Sequence, residues 1–138
     1  MFTHLRAGAE SGWDFSSRWF ADGENLHTIH TTDIVPVDLN CLLYTLKNTI
    51  AKAKAVACDE QSAQLFSDKA LNRKNAILKY CWDSNINFFY DCDFVVQQQL
   101  HSITVAGLLS LFVIIAISLQ ARFVAEKTAS AFLKNGIL

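Results

Sequence analysis

Proline and glycine are scarce in this sequence, which contains one Pro and five Gly among 138 residues. Because these two residue types most often interrupt regular structure, the chain has few strong breaks. Long stretches in which polar and apolar residues alternate with period two are also missing, which argues against an extended half-buried sheet. Both absences favour an all-α chain built from helical hairpins.

Charge is low as well. Charged residues make up 18% of the sequence, below the usual quarter or so, and 51% of the residues are hydrophobic. The formal net charge of −1 provides no basic field that could attract nucleic acid, so no nucleic-acid partner is predicted. A chain this short buries only about two thirds of its surface. Some apolar faces are therefore expected to contact a partner, a membrane or further chain.

The four cysteines form no Cys-x-x-Cys pair, which argues against a zinc site. Their even number would permit two disulfides, but three of them lie in apolar, helix-like patterns where free buried thiols are common. Free thiols are typical of reducing compartments, and residues 1–18 lack the apolar core of a secretory signal. We therefore predict a cytoplasmic location, with a periplasmic or membrane-associated one as the alternative. The cysteines are Cys41, Cys58, Cys81 and Cys92.

Two pairs of side chains have the chemistry of metal ligands without a complete set. His27 and His30 form His-x-x-His but lack a third ligand. Asp91 and Asp93 lack the glycine and the bidentate glutamate that follow in a calcium loop. We predict no metal site, and we assign the two aspartates to loop solvation or helix capping.

Four segments have helical periodicity. Asp38 and Asp59 are natural N-caps for the first two helices, and Asn135-Gly136 is a stop signal for the last. The predicted helices are 38–57, 59–82, a segment that begins near Phe94, and 119–133. The stretches 1–36 and 83–93 are predicted to be irregular, apart from a short helical turn around 16–20.

Residues 94–121 contain no Asp, Glu, Lys or Arg. The densest apolar part, 105–119, is a candidate for a membrane span, which needs about 20 predominantly apolar residues. Three glutamines and His101 precede it and shorten the apolar part. A helix buried on all sides within a larger protein has the same composition. We favour the buried helix and keep the membrane helix as the alternative.

The chemistry is concentrated in residues 4–20, HLRAGAESGWDFSSRWF, which mix small, aromatic and charged side chains in one irregular segment. Its aromatic side chains offer flat faces on which sugar rings stack. Asp14 lies between Trp13 and Phe15, and aromatic surroundings raise the pKa of a carboxyl group because they disfavour its charged form. A raised pKa is what the general acid of a glycoside hydrolase requires.

Other side chains in this segment fit the same function. Gly12 lets the backbone approach a ligand closely, and Arg6 and Arg18 are donors for sugar hydroxyls or neighbouring carboxylates. A simpler interpretation gives Asp14 a turn or capping role. In that case Arg18, four residues on, would pair with Asp14 and lower its pKa, which would remove the acid function.

The string RAGAESGWDFSSRWF at 6–20 closely resembles the segment of trehalases that carries their catalytic acid, which reads roughly RAGAxSGWDxSSRW. The likeness continues at 31–40, which is similar to the TTxxxPxDLN of that family. Weaker similarity follows at Tyr80-Cys81-Trp82-Asp83, Tyr90-Asp91-Cys92-Asp93 and Asn135-Gly136-Ile137-Leu138. The likeness is strong at the start of the chain and weak after Asp93.

The resemblance implies a glycosidase that hydrolyses α,α-trehalose to two glucose molecules with inversion, on an (α/α)6 barrel, without a metal or organic cofactor. Asp14 matches the general acid, and Gly12 matches a residue that contacts the substrate. Trp13 and Arg6 are further candidates for substrate binding. Residues 1–138 would then form a partial barrel, or toroid, of helical hairpins.

Parts of the trehalase pattern have no match within 1–138, above all the general base. An inverting glycosidase needs this second carboxylate about 6.5–9.5 Å from the acid. Glu10, Asp33 and Asp38 are the nearby candidates, and Asp38 is better explained as a helix cap. We therefore predict a fragment of a trehalase catalytic domain that is inactive alone and depends on a complementing fragment. The alternative is a non-catalytic helical protein, associated with a membrane through 105–119.

Overall fold

The computed structural model describes residues 1–134, which are mainly helical. The helices are α1 (Phe2–Glu10), α2 (Val37–Val56), α3 (Glu60–Tyr80), α4 (Leu109–Phe112) and α5 (Ser118–Lys134). Short 3-10 turns lie at Ser17–Trp19, Leu26–Thr28, Thr31–Asp33 and Val105–Leu108. The strands are β1 (Ile34–Val35), β2 (Trp82–Asp83), β3 (Phe88–Phe89), β4 (Asp91–Asp93) and β5 (Gln98–Leu100). The predicted helical character is thus confirmed, with small sheets in addition.

The hairpin of α2 and α3 forms the body of the protein, and its bounds agree with the prediction to within two residues. Asp59 caps α3 as predicted, because its carboxylate accepts a hydrogen bond from the Ser62 amide at 3.1 Å. The predicted capping role of Asp38 is wrong. Pro36 occupies the N-cap position of α2, and the Asp38 carboxylate instead binds the buried guanidinium of Arg18.

Helix α1 lies in a region that the sequence predicts to be irregular. Gly8, in the middle of this helix, serves close packing. A Cβ atom at this position would lie 3.3 Å from the carbonyl oxygen of Asp14 and 3.4 Å from Cδ1 of Ile29. The glycine therefore brings the helix against the segment that carries Asp14. The helical turn predicted around 16–20 is confirmed at Ser17–Trp19.

Five short strands form two antiparallel sheets, one in the order β1-β4-β5 and the other pairing β2 with β3. The stretch 83–93, predicted as a loop, thus contains paired backbone. Each strand has only two or three residues, too few for a period of two to be visible in sequence. The first sheet joins the segment before α2 to the segment after α3.

The third predicted helix, from Phe94 onward, is wrong. This region contains β5, a 3-10 turn, the four-residue α4 and a left-handed residue, Ile114 (φ 56°). Ala106, Ser110 and Ile115 are fully buried, whereas Phe112 and Ile114 are largely exposed. Within residues 1–134, no helix has both the length and the apolar character that a membrane crossing requires. The fourth helix is confirmed as α5, and its predicted stop signal lies outside the described residues.

Two groups of buried side chains make the core. The larger one lies between the hairpin and the chain that follows it, and its members are Val37, Cys41, Ile77, Cys81, Phe88, Phe89, Tyr90, Ala106, Ile115 and Val124. The smaller one consists of Trp19, Ile29 and Ile34. Trp13 packs against both groups. The residue before Asp14 therefore sits where the two parts of the core meet.

Candidate active site

The candidate catalytic residue lies in a tight turn between α1 and the 3-10 turn Ser17–Trp19, which we call the 12–14 turn. Gly12 and Asp14 both have left-handed backbones, with φ of 80° and 46°. For a residue other than glycine, this conformation costs on the order of 1 kcal/mol, and Asp is among those that tolerate it best. The Trp13 amide donates to the hydroxyl of Ser11 at 3.0 Å, and the Asp14 side chain is exposed.

The side chain of Trp13 points into the protein and ties the turn to α2. Its indole Nε1 donates a hydrogen bond of 2.6 Å to Oδ2 of Asp38, in the first turn of that helix. The guanidinium of Arg18 lies 4.8 Å from the centroid of the Trp13 ring, within the range of a cation–π contact. Since Arg18 covers one face of the Trp13 ring, a sugar can stack only on the part of the ring that remains exposed.

Arg18 is the centre of a buried ionic cluster. It binds Asp38 through Nη1 and Nη2, at 3.2 and 3.1 Å, and Asp91 through Nε and Nη2, at 2.9 and 2.7 Å. Its guanidinium also lies 4.4 Å from the ring centroid of Trp19. The alternative pairing of Arg18 with Asp14 is therefore wrong, because all four of these hydrogen bonds go to the other two carboxylates.

The two carboxylates on Arg18 are not equivalent. Burial acts to raise the pKa of Asp38, but the hydrogen bonds and charge of Arg18 outweigh it and hold this pKa below its usual range. Asp91 is more deeply enclosed, and there burial prevails over Arg18 and raises the pKa. Asp91 also accepts a hydrogen bond of 2.8 Å from the amide of Val37, the first residue of α2. Loop solvation, one of the two roles predicted for Asp91, is therefore wrong, because this carboxylate is buried and binds a backbone amide 54 residues earlier in the chain.

Asp93, the other aspartate of that pair, accepts hydrogen bonds from the amides of Val95 and Val96 at 2.8 and 3.1 Å. Its second carboxylate oxygen lies 3.5 Å from Nδ1 of His30. Over residues 1–134, His, Cys, Asp and Glu side chains nowhere gather in threes at positions that could hold a metal ion.

Arg6, predicted as a substrate-binding residue, lies on α1. It donates to the carboxylate of Glu10 at 2.9 Å, and both side chains are largely exposed. Within the described part of the chain, Arg6 makes no hydrogen bond to the 12–14 turn. Of the predicted site residues, Gly12, Trp13 and Asp14 therefore lie together in the turn. Arg6 lies on the preceding helix, where it forms a separate ion pair.

A small cavity lies behind the turn. It encloses about 200 Å³ and is bounded by both tryptophans of the segment and by the start of α2. Its lining residues are Glu10, Ser11, Trp13, Trp19, Pro36, Asp38, Leu39 and Leu42. A larger cavity of about 450 Å³, near Cys92 and Phe94, includes no residue of 4–20. The cavity beside the 12–14 turn is thus the smaller of these two, and Asp14 is not among its lining residues.

Comparison with known proteins agrees with the resemblance seen in the sequence. The family model described as Trehalase matches residues 1–138. The chain belongs to the trehalase family. It is 41% identical over 136 residues to a periplasmic trehalase of Pseudomonas aeruginosa and 41% identical over 139 residues to one of Xanthomonas campestris pv. campestris. A periplasmic trehalase of Salmonella agona is 39% identical over 136 residues.

These similarities cover nearly the whole of this chain but only part of the relatives. The matches include 99% of the chain and 25% of the Pseudomonas trehalase, or 24% of the Xanthomonas and Salmonella trehalases. The chain therefore spans about a quarter of the length of the curated trehalases it matches.

The names of these relatives contradict the predicted cytoplasmic location, because all three are periplasmic trehalases. The cysteines are free, as expected: Cys41, Cys58, Cys81 and Cys92 form no disulfide. Free thiols do not by themselves require a reducing compartment. Cys41 and Cys81 are buried, and burial raises the pKa of each to about 12. Such thiols are protected from oxidation by the fold itself.

Proposed function

We propose that this chain supplies the general acid of an inverting α,α-trehalase, and that Asp14 is that acid. The observation that carries the proposal is the contrast between Asp14 and the carboxylates around it. Asp38 and Asp91 are held by Arg18, and Glu10 is paired with Arg6. Within residues 1–134, the exposed Asp14 carboxylate has no hydrogen-bond or ion-pair partner, so it is available to a ligand.

In this mechanism Asp14 protonates the glycosidic oxygen as the bond to the departing glucose breaks. A second carboxylate, about 6.5–9.5 Å away, activates the water that attacks from the opposite face. Gly12 supports the approach of a sugar, since a Cβ atom there would meet nothing within 4 Å. Trp13 contributes the exposed part of its ring. Arg6 can bind the substrate only if its ion pair with Glu10 breaks first.

Two of the three nearby candidates for the general base are already engaged. Asp38 is bound by Arg18 and Trp13, and Glu10 is paired on the surface. We infer that chain outside 1–138, or a complementing fragment, supplies the base, and that 1–138 is one part of a catalytic domain. On this view the α2–α3 hairpin is one of the repeated hairpins of an (α/α)6 barrel. The periplasm, named for the relatives, is the location we propose.

Exposed leucines support the view that α2 contacts further chain. Leu39, Leu42 and Leu46 lie at spacings of three and four residues, and about half of each side chain is exposed. Residues at this spacing share one face of a helix. A helix of a barrel buries such a face against a neighbouring hairpin.

The proposal can be tested in a chimera. Residues 1–138 replace the matching 136 residues of the Pseudomonas aeruginosa trehalase, and glucose release from trehalose is measured. The variant Asp14→Asn should lower kcat by about 10²- to 10⁴-fold, because the acid is lost while the shape is kept. Glu24→Gln is the matched control, since it removes another exposed carboxylate and should leave the rate unchanged.

Full activity in the Asp14→Asn chimera would contradict the assignment of the acid. The isolated chain is assayed in parallel and should release no glucose above background. If it were active, and Asp14→Asn abolished that activity, a local carboxylate such as Glu10 or Asp33 would be the base. The inferred need for further chain would then be wrong.

A further inference from the structure

We propose that Arg18, Asp38 and Asp91 form a positioning clamp that holds the 12–14 turn in shape through the indole of Trp13. This inference rests on the proposed role of Asp14 as the general acid. It adds three residues whose effect on the reaction is indirect, since each is buried beneath the turn.

The 12–14 turn needs an external support. It contains two left-handed residues, Gly12 and Asp14, and its carboxyl group is exposed. In the described part of the chain, one polar side-chain contact links this turn to another element of the fold, the hydrogen bond from Trp13 Nε1 to Asp38. Without that bond, Trp13 would keep its apolar packing, the cation–π contact with Arg18 and hydrogen bonds to its near neighbours Ser11 and Ser16.

Asp38 can serve as an anchor because it is itself held in place. Arg18 binds it through two nitrogens and binds Asp91 through two more contacts, a planar arrangement that fixes direction as well as distance. Asp91 is fixed in turn by the Val37 amide. A continuous path of hydrogen bonds thus leads from β4 through Arg18 and α2 to Trp13.

Arg18 also restrains Trp13 directly. Its guanidinium lies over the Trp13 ring, 4.8 Å from the centroid, while Asp38 takes the indole N–H at the edge of the same ring. One contact acts on the face and the other on the edge, so together they oppose both tilting and sliding of the ring. Because Trp13 is fixed, the backbone of the next residue, Asp14, is fixed as well, and so is the direction in which its side chain projects from the turn.

Stability alone does not explain this cluster. A buried ion pair is often no more stabilising than apolar side chains of the same volume. Its geometry, however, is restricted to a narrow range, and a catalytic group must be held within about 0.5 Å of its working position. A displacement of about 1 Å can lower a rate by up to 10²-fold. In the proposed role, the clamp restrains the backbone that carries Asp14.

The first test is nuclear magnetic resonance of the labelled chain. A strong nuclear Overhauser effect between the Hα and amide protons of Asp14 indicates its positive φ. Trp13→Phe removes the indole N–H and leaves the ion pairs of Arg18 in place, and it should weaken this signal. Trp82→Phe removes another half-buried indole, in β2, and should leave the Asp14 signals unchanged.

Asp38→Asn tests the anchor itself. The charged acceptor is lost, so the indole proton of Trp13 should move upfield and the positive-φ signal of Asp14 should weaken. If this variant does not fold, Trp13→Phe still decides the question. An unchanged Asp14 signal in Trp13→Phe, and in Asp38→Asn where it folds, overturns the clamp.

Kinetics of the chimera separate the two proposals. Asp38→Asn should lower kcat by roughly 10- to 10²-fold, with KM nearly unchanged, because Asp38 positions the acid and does not touch the sugar. Loss of activity in Asp14→Asn combined with full kcat in a folded Asp38→Asn variant overturns the clamp and leaves the proposed function standing. Full activity in Asp14→Asn overturns the proposed function, and the positioning role with it.

Discussion

Asp91 is the residue whose removal should damage the fold most clearly. The variant Asp91→Ala deletes two of the four hydrogen bonds of Arg18 and the partner of the Val37 amide at the start of α2. Breaking a buried ion pair by removing one partner costs about 3–5 kcal/mol, and loss of a helix cap costs about 1 kcal/mol. Because Asp38 still neutralises Arg18, we expect a total loss at the lower end of this sum, about 4 kcal/mol.

Urea unfolding at pH 7, followed by circular dichroism, measures this loss. A domain of this size has a total stability of about 5–15 kcal/mol and an m-value of about 1–3 kcal/mol/M. The midpoint should therefore fall by about 1 M or more. Such a shift would be easily resolved from the error of the measurement.

An exposed ion pair provides the matched control. Arg122 and Glu126 are four residues apart on α5, with Nε and Oε1 separated by 2.8 Å and both side chains largely exposed. Glu126→Ala also removes a carboxylate from an arginine, but water and salt screen this pair. The urea midpoint of the Glu126→Ala variant should equal that of the unaltered chain. A loss below about 1 kcal/mol for Asp91→Ala, or no more than for the control, would refute the reasoning from burial.

Two further predictions concern packing and thiol chemistry. Gly107→Ala should lower the stability by about 1–3 kcal/mol, because its Cβ atom would lie 2.6 Å from the carbonyl oxygen of Phe89; an unchanged melting temperature would contradict this. At pH 8 a thiol reagent should modify exposed Cys58 at once, and Cys41 and Cys81 only after unfolding. The pKa of each of these two buried thiols in the folded chain, about 12, exceeds the ordinary value of 9. Burial of the two neutral thiols therefore contributes fully to the stability of the fold below pH 9, and this contribution is lost between pH 9 and 12. Equal labelling of all three in the folded chain would refute it.

Local patterns predicted the elements whose contacts are local. The α2–α3 hairpin follows from helical periodicity and from the cap at Asp59, since both act between residues three or four apart. The same applies to α5. The apolar run 94–121 offered no such information, because a run of similar residues indicates burial but not where the backbone turns. The break before Ser118 and the left-handed Ile114 were therefore missed.

The small elements were missed for a different reason. Helix α1 contains Gly8, which reads as a break in sequence and proves to be a point of close contact with the Asp14 backbone. The strands are short, and their pairing depends on partners far along the chain, such as Ile34 with Asp93. The role of a glycine and the formation of a two-residue strand both depend on which residues contact them in the folded chain, and the local sequence does not contain this information.

The sequence by itself determined the family and the candidate acid, because a continuous string, RAGAESGWDFSSRWF, carries that information without reference to the fold. It determined the long hairpin through helical periodicity and the cap at Asp59. The tertiary structure alone decided what Arg18 binds. Its partners Asp38 and Asp91 are 20 and 73 residues away, and from sequence Asp14, four residues away, was the obvious partner. A buried guanidinium pairs with the carboxylates that are buried beside it, because the low dielectric there strengthens the attraction. Only folding determines which carboxylates these are.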